Sequence, residues 1–367
     1  MVQEHLKNLM QIASSFHEAT HEHYKKTGNR YVDVPQIVGI TGACENVDTL
    51  FRVGNRLGLR LFLTQTGQLA LEQALQYFPA VYTIIHSGRD EEVDDERHLR
   101  QFRLTEEEFD WSLMGGGSDA YDEERMYEAL LVRIEGTVRD IACHTVEQNA
   151  QVLEEVYGRD SQRLLESFRQ PFLRILYSDA VMLLQGDGFP SLQWGDDLKA
   201  EHEAAVVRLM NKTTGSVSAD PYYSRPVFIM RYPKEIKFFN MKTSQRDERV
   251  VLSADLILPI AGEAVGSAVR EHDGPKLRER LLGSTMFRLH EQRGGTYEDF
   301  VWYLDDLVAA GKTRPHAGYG LGNERLLQYI LGQKDIRLCS LFSLMAEQTH
   351  DWEVRTQAEP SIVSSLS

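Results

Sequence analysis

Cysteine is scarce in this chain: Cys44, Cys143 and Cys339 are scattered, with no spacing that suits a disulfide framework or a thiolate metal site. Such sparse use fits a reducing compartment. Long apolar runs are also missing. No stretch is long enough to span a bilayer, and the N-terminus, MVQEHLKNLMQIASSFHEATHEHYKK, is too polar for a secretory signal. Positive charge is in short supply as well: 40 Lys and Arg stand against 55 Asp and Glu, a formal net charge of −15. No general basic footprint therefore invites nucleic acid, although a local basic strip stays compatible with the total. There is no internal repeat. What remains is the composition of an ordinary globular protein, expected in the cytoplasm, long enough for one large domain or two modest ones.

Leu6, Leu9, Met10, Ile12 and Phe16 recur at helical spacing, which predicts an amphipathic helix over residues 3–27, ended by Gly28 and Asn29. YVDVPQIVGI, LRLFLT (59–64) and AVYTIIHSG (80–88) read as strands, with Pro35 marking an edge or a break, and LALEQALQYF reads as a helix. Residues 98–111 alternate apolar and charged side chains as a half-exposed strand does. Residues 119–186 turn rich in Glu, Leu, Arg and Gln and read as several helices. NKTTGSVSAD (211–220) reads as a mobile loop. RPVFIMRYP, IKFFNMKT and VVLSADLILPI are strand-like, which points to an antiparallel sheet rather than βαβ units. The tail from His350 is polar.

The most informative stretch is PHAGYGLGNERLLQYILGQKDIRLCSLF (315–342). Glycines 318, 320 and 322 give G-x-G-x-G, which is not the dinucleotide-binding fingerprint, and they lead into a helix with Arg325 in its first turn. Glycines let a ligand approach the backbone, and an arginine beside them can grip a phosphate. On these residues alone, a glycine-rich strand merely packed on a helix is an equal reading.

This stretch resembles motif 3 of the class II aminoacyl-tRNA synthetases, in the form used by the asparaginyl and aspartyl enzymes. RDEEVDDERHLRQFRLTEEE (89–108) resembles their motif 2. The resemblance runs from about residue 10 to 342 and implies an α+β fold: an antiparallel sheet flanked by helices, with a helical insertion (119–187) between motifs 2 and 3. It implies one catalytic domain over 1–349, a polar tail over 350–367, and a homodimer through the motif 1 region. It also implies roles. Arg89 and Arg325 become the catalytic arginines, on the α- and γ-phosphates of ATP. Glu91 accepts from the adenine amino group, Phe102 stacks on adenine, and Arg97 and His98 reach the phosphates. Gly322 floors the nucleotide pocket and Gly320 the amino-acid pocket. Thr66, Gln68 and Glu106 face the substrate ammonium, Arg270 grips its side chain, and Asp255 and Glu263 hold Mg²⁺. A fixed arginine suits this chemistry because attack of a carboxylate on an α-phosphate builds charge on the non-bridging oxygens.

Other patterns carry less. HEATH (17–21) matches H-E-x-x-H, but no third zinc ligand follows and the resemblance puts it in the motif 1 helix. Glu201-His202-Glu203 reads as the polar face of a helix, and Cys143-His144 as helix surface and core.

The chain departs from the family at four places. Nothing before the motif 1 helix is long enough for the OB-fold that reads an anticodon. Ala70 and Asn240 stand where the family usually has Tyr, Phe238 replaces a Pro and Val269 a Gln, which predicts a roomier amino-acid pocket. Extra residues surround GPKLRERLLGS. Phe342 is followed by SLMAEQTH instead of Pro-Arg. With the acidic charge, these departures argue against tRNA as partner. They lead to the expectation of an ATP-dependent, Mg²⁺-requiring ligase that activates an aspartate- or asparagine-like amino acid as its adenylate and passes it to ammonia or a small amine. Archaeal asparagine synthetase-related proteins are the precedent. The alternatives are aminoacylation of tRNA as in asparaginyl-tRNA synthetase, and a non-catalytic paralogue that senses an amino acid.

Overall fold

The helical spacing of the first residues becomes one long helix, α1 (Val2–Thr27), in a computed structural model that describes residues 2–40, 47–90, 95–114, 120–213, 220–312 and 314–349. Leu9, Ile12 and Phe16 are its buried stripe, and Gly28 ends it at φ 80°. Pro35 splits the next segment into β1 (Arg30–Tyr31) and β2 (Ile37–Val38). After β3 (Phe62–Leu63) and α2 (Gln68–Ala74), two long strands follow, β4 (Ala80–Gly88) and β5 (Gln101–Asp110).

The predicted helical stretch contains α3 (Glu123–Gln148), α4 (Ala150–Glu155), α5 (Ser161–Arg169) and α6 (Tyr177–Gln185), with the strand β6 (Leu173–Leu176) between the last two. These helices do not stand off the domain. Leu130, Ile134, Val138 and Ile141 of α3 are fully buried in the main core with Phe16 of α1. Then come α7 (Ala200–Thr213), β7 (Val227–Met230), β8 (Ser253–Leu258) and β9 (Gly262–Val269). The extra residues around GPKLRERLLGS form α8 (Gly274–Gly283), capped by Asp273, followed by α9 (Thr285–Gln292) and the short α10 (Val301–Tyr303). The chain returns through β10 (His316–Gly322), α11 (Asn323–Leu331) and α12 (Leu341–Thr349).

Eight strands form one sheet in the order β1-β4-β5-β10-β9-β8-β7-β6. Neighbours from β4 to β7 are antiparallel, and only the two edge pairs, β1 with β4 and β6 with β7, are parallel. The expected antiparallel sheet flanked by helices is therefore present. Side chains alternate between the two faces along β5 and β10, while the β8–β9 pairing shifts register between Leu256 and Ile257. On β10, Ala317, Tyr319 and Leu321 enter the core under α1 and α3, while glycines 318, 320 and 322 take the opposite face.

Three local expectations fail. β5 is buried almost throughout rather than half exposed, because β4 and β10 pair with both its edges and its charged side chains find internal partners. IKFFNMKT is not a strand: Lys234–Ile236 form a 3₁₀ turn, and only isolated bridges tie Met241 to Arg270 and Thr243 to Val251. LRLFLT shortens to two strand residues. Most of the loop expected at 211–220, and the tail 350–367, lie outside the described residues. Among the described residues, no helix is long and apolar enough to cross a membrane.

Candidate active site

The glycine face of β10, with β5 and β9 beside it, floors a cavity of about 560 Å³. Arg89, Arg97, His98, Phe102, Asp255, Glu263, Gly322 and Arg325 line one part of it, and Thr66, Gln68, Glu106, Arg270 and Gly320 the other. Every candidate residue is thus brought to one cavity except Glu91, which lies outside the described residues.

Arg325 stands in the first turn of α11, where it donates to the carbonyl oxygens of Ala261 (2.8 Å) and Arg97 (2.7 Å). Burial and then the nearby Arg97 charge lower its pKa, so an anion at this end relieves a real electrostatic cost. Arg89 leaves the end of β4 with its guanidinium 5.4 Å from the centre of the Phe102 ring. Arg97 and His98 sit on a turn organised by Asp95, whose Oδ1 accepts from both backbone amides and from His98 Nδ1. Both side chains are exposed, with His98 tied to Asp95.

Three carboxylates converge beside these cations: Asp255 from β8, Glu263 from β9 and Glu203 from α7. Lys237 Nζ donates to Asp255 Oδ2 at 2.5 Å, while Asp255 Oδ1 is buried without a partner. Glu263 keeps an exposed edge, yet loss of hydration, then Asp255 and Glu203, push its pKa up against the pull of Lys237 and Arg89. An unpartnered oxygen among crowded carboxylates is a donor set that suits a hard divalent cation. Gly262, at φ 79°, has to be glycine here, since a Cβ would fall 2.9 Å from Glu203 Oε2.

The other end is drier. Glu106 is buried, accepts from the Thr66 hydroxyl and from Gly67 N (2.6 Å), and is pushed up to about 7 by burial against those donors. Two residues along the same face of β5, Glu108 accepts from Arg270 Nε (3.0 Å) and Nη2 (2.6 Å) through Oε1 alone. Its Oε2 is buried and unpartnered. Gln68 turns its amide away, onto Glu72 (2.7 Å). A Cβ on Gly318 would lie 2.1 Å from the Glu108 carboxylate, which gives the first of the three glycines its reason.

Sequence reasoning missed Glu108, Glu203 and Lys237. Glu108 was legible in TEEEFD, because period-two alternation puts it beside Glu106 and sends Glu107 to the other face, where it meets Asn29, Arg133 and Tyr319. Glu203 is not simply part of a polar face: its Oε2 accepts from Glu263 N (3.3 Å) inside the cavity. The roomier pocket does not follow from all four substitutions. Phe238 lines the cavity, but Ala70 lines a neighbouring one of about 470 Å³, and Asn240 and Val269 are fully buried outside both. The HEATH residues separate, with His17 on Arg103, Glu18 on Ser14 and His21 on Tyr82.

Comparison with known proteins gives this geometry its class. The family model of class II tRNA synthetases (D, K and N) matches residues 1–346. The chain belongs to that family, and with it to the ATP-dependent ligases that form adenylates. It is 33% identical to the asparagine–tRNA ligase of Pyrococcus furiosus over 335 residues, 91% of this chain and 67% of the relative. It is 32% identical to that of Thermococcus kodakarensis, over 91% and 68%. The asparaginyl-tRNA synthetase of Pyrococcus horikoshii, solved with asparaginyl-adenylate, superposes with a TM-score of 0.77 at 31% identity, covering 92% of this chain and 68% of that one.

These relatives correct two expectations. Transfer to ammonia or a small amine gives way to the reading that had been the alternative, and the argument against tRNA as a partner falls with it. The physical reason is that a net charge of −15 is a sum over the whole chain, and tRNA contacts depend on where individual cations lie.

Proposed function

We propose that the chain activates asparagine with ATP, as asparaginyl-adenylate, and passes the asparaginyl group to tRNA. The observation that carries this reading is the Arg270–Glu108 pair at the closed end of the cavity. A carboxamide needs a donor for its oxygen and an acceptor for its NH₂. Arg270 supplies the first, and the unpartnered Glu108 Oε2 the second. Aspartate would bring a second carboxylate against Glu108 and lose the acceptor match, a mismatch that desolvated polar sites reject strongly.

In this reading the substrate ammonium rests on Glu106 and the Thr66 segment, which turns the α-carboxylate toward the arginine end. A carboxylate oxygen attacks the α-phosphorus, the bond to the bridging oxygen breaks, and pyrophosphate leaves. Arg89 stabilises the charge that develops on the α-phosphate and Arg325 holds the γ-phosphate, with Phe102 against adenine and Arg97 and His98 on the outer phosphates. Asp255 and Glu263, with Glu203 behind them, would hold Mg²⁺, which neutralises phosphate charge when bound. A terminal ribose hydroxyl of tRNA then attacks the acyl carbon and AMP departs. Residues 1–349 act as one catalytic domain with the helical insertion 119–187, followed by the tail 350–367. The molecule works as a homodimer through the α1–β1 region, in the cytoplasm where its tRNA substrate is found.

ATP–pyrophosphate exchange across the standard amino acids, followed by charging of tRNA(Asn), tests this. Exchange with asparagine well above aspartate, and asparaginyl-tRNA formed, are the expected results. Exchange with aspartate alone would overturn the substrate, and exchange with no charging would overturn the acceptor.

A further inference from the structure

Beneath the Arg270–Glu108 pair lies a second, wholly buried ion pair with no part in the steps above. His316 at the start of β10 and Glu72 on α2 are both 0% exposed, with His316 Nε2 3.2 Å from Glu72 Oε2. The other imidazole nitrogen, Nδ1, stands 2.8 Å from the Arg314 carbonyl oxygen. The carbonyl can only accept, so Nδ1 carries hydrogen; Nε2 makes no hydrogen bond of good geometry, but it lies at ion-pair distance from a carboxylate that would repel its lone pair, so the site favours the imidazolium. Glu72 is held by donors on both oxygens, Gln68 Nε2 on one (2.7 Å) and the Tyr303 hydroxyl on the other (2.7 Å).

The groups facing one another here are Glu72 from α2, Glu106 and Glu108 from β5, Arg270 after β9, Tyr303 from α10, His316 from β10, and His272 beyond Arg270. Tyr303 stays neutral, since burial and Glu72 raise its pKa well above the usual phenol value. Burial likewise disfavours charge on His272. Glu106 has the substrate ammonium to answer it. Among the described residues, two anions, Glu72 and Glu108, then face two cations, Arg270 and His316. Burial alone would strip His316 of its proton, but Glu72 and then Glu108 outweigh it and raise its pKa. Without that second cation, one carboxylate must take up a proton, because an unbalanced charge in a dry site is costly. Glu72 has donors on both oxygens, so the proton goes to the bare Oε2 of Glu108, which then donates where a carboxamide NH₂ needs an acceptor.

We propose that the His316–Glu72 pair is a specificity-determining positioning device: protonated His316 balances Glu72 and so keeps Glu108 an anion that accepts from asparagine's carboxamide and repels aspartate. The proposal rests on the asparagine reading above and adds the groups that set the charge state of its acceptor. Neither His316 nor Glu72 touches the substrate; they act through Glu108.

The test is pyrophosphate exchange by the full chain, with asparagine and with aspartate, from pH 6 to 9, on the wild type and the variants H316Q, E72Q, E72Q/H316Q and E108Q. In H316Q the KM for asparagine should rise about 10-fold at pH 7, with kcat little changed, and fall back toward wild type at pH 9, because each unit by which the Glu108 pKa rises costs tenfold in ionised acceptor. Removing both partners restores the balance, so the double variant should regain the wild-type KM and pH profile, which a merely structural role would not do. E72Q alone should keep its selectivity, as His316 then gives up its proton and Glu108 stays an anion. An H316Q profile matching wild type, or a double variant no better than H316Q, overturns the proposal. So does an E72Q variant that loses asparagine as H316Q does, a result available even if H316Q does not fold. If E108Q loses selectivity while H316Q does not, this inference fails alone. If the wild type does not activate asparagine, it fails together with the function proposed above.

Discussion

The two ends of the cavity are built on opposite principles. At the phosphate end, Arg97 and His98 are exposed and Arg325 spends its donors on backbone carbonyls. Asp255 is held by a lysine, and the carboxylates around Glu263 crowd one another. In the proposed reading that end is completed by its ligand, since a polyphosphate brings enough charge of its own to reorganise solvated side chains. At the amino-acid end, Glu72, Glu106, Glu108, Arg270 and His316 are all buried and already paired. In the same reading, telling a neutral amide from a carboxylate of the same shape falls to desolvated partners whose charge is set by their buried neighbours.

Breaking the phosphate end should have the largest effect. Arg325→Ala is expected to lower the rate of adenylate formation by about 10²–10³-fold, the scale for a lost transition-state contact. The protein should stay folded, because the guanidinium is tied to loop carbonyls rather than packed in the core; single-turnover kinetics beside a thermal melt check both points. Near-normal exchange would dissociate Arg325 from the chemistry.

Glu108→Gln breaks the other end in a different way. The rate with asparagine should fall less than in Arg325→Ala, while the asparagine-to-aspartate ratio of kcat/KM collapses by about 10²-fold, as expected when the group that rejects an isostere is lost. An unchanged ratio would remove Glu108 from the recognition of the side chain.

The glycines of β10 sharpen the contrast within one strand. Gly318→Ala drives a methyl into the Glu108 carboxylate, which Arg270 pins in place, and should raise the KM for asparagine about 10-fold or more, on the scale of a disrupted charged contact. Gly320→Ala meets Glu106 Cγ at an ordinary 3.5 Å, so the protein itself accommodates it and its melting temperature should not move. A Gly318→Ala variant with an unchanged KM for asparagine would contradict the placement of Glu108.

The smallest effect is on stability. Burial raises the folded-state pKa of Glu106 and Glu108 from 4.5 to about 7. Between those values the folded state holds more protons than the unfolded one, so these two groups lose stability as pH rises from 4.5 through 7. The ligand-free E106Q/E108Q variant should therefore gain relative to wild type by about 2–4 °C in melting temperature between pH 5 and 8. A constant difference across that range would mean the two carboxylates are not strained by burial.

Much of this was readable before any coordinates. The α1 stripe, β4, the Arg325 helix and the glycine strand all lie in local patterns with one dominant period, and the two motifs bracketed nearly all the cavity-lining candidates. The failures share a cause. IKFFNMKT has strand-like composition, yet only isolated bridges reach it, since hydrogen-bond partners rather than propensity decide whether a strand forms. Glu203 looked like a solvated helix face because a helix period cannot say what stands opposite it.

By itself, then, the sequence determined the family, the antiparallel sheet and most of the residues that line the cavity, because these depend on spacing along the chain. Only the tertiary structure decided which charges are dry and which are paired. His316 and Glu72 are 244 positions apart by their numbering, and nothing local predicts that they meet at 3.2 Å with neither exposed. Burial and charge balance are properties of what surrounds a group in space, and that is what the packing of α2, β5 and β10 against one another supplies.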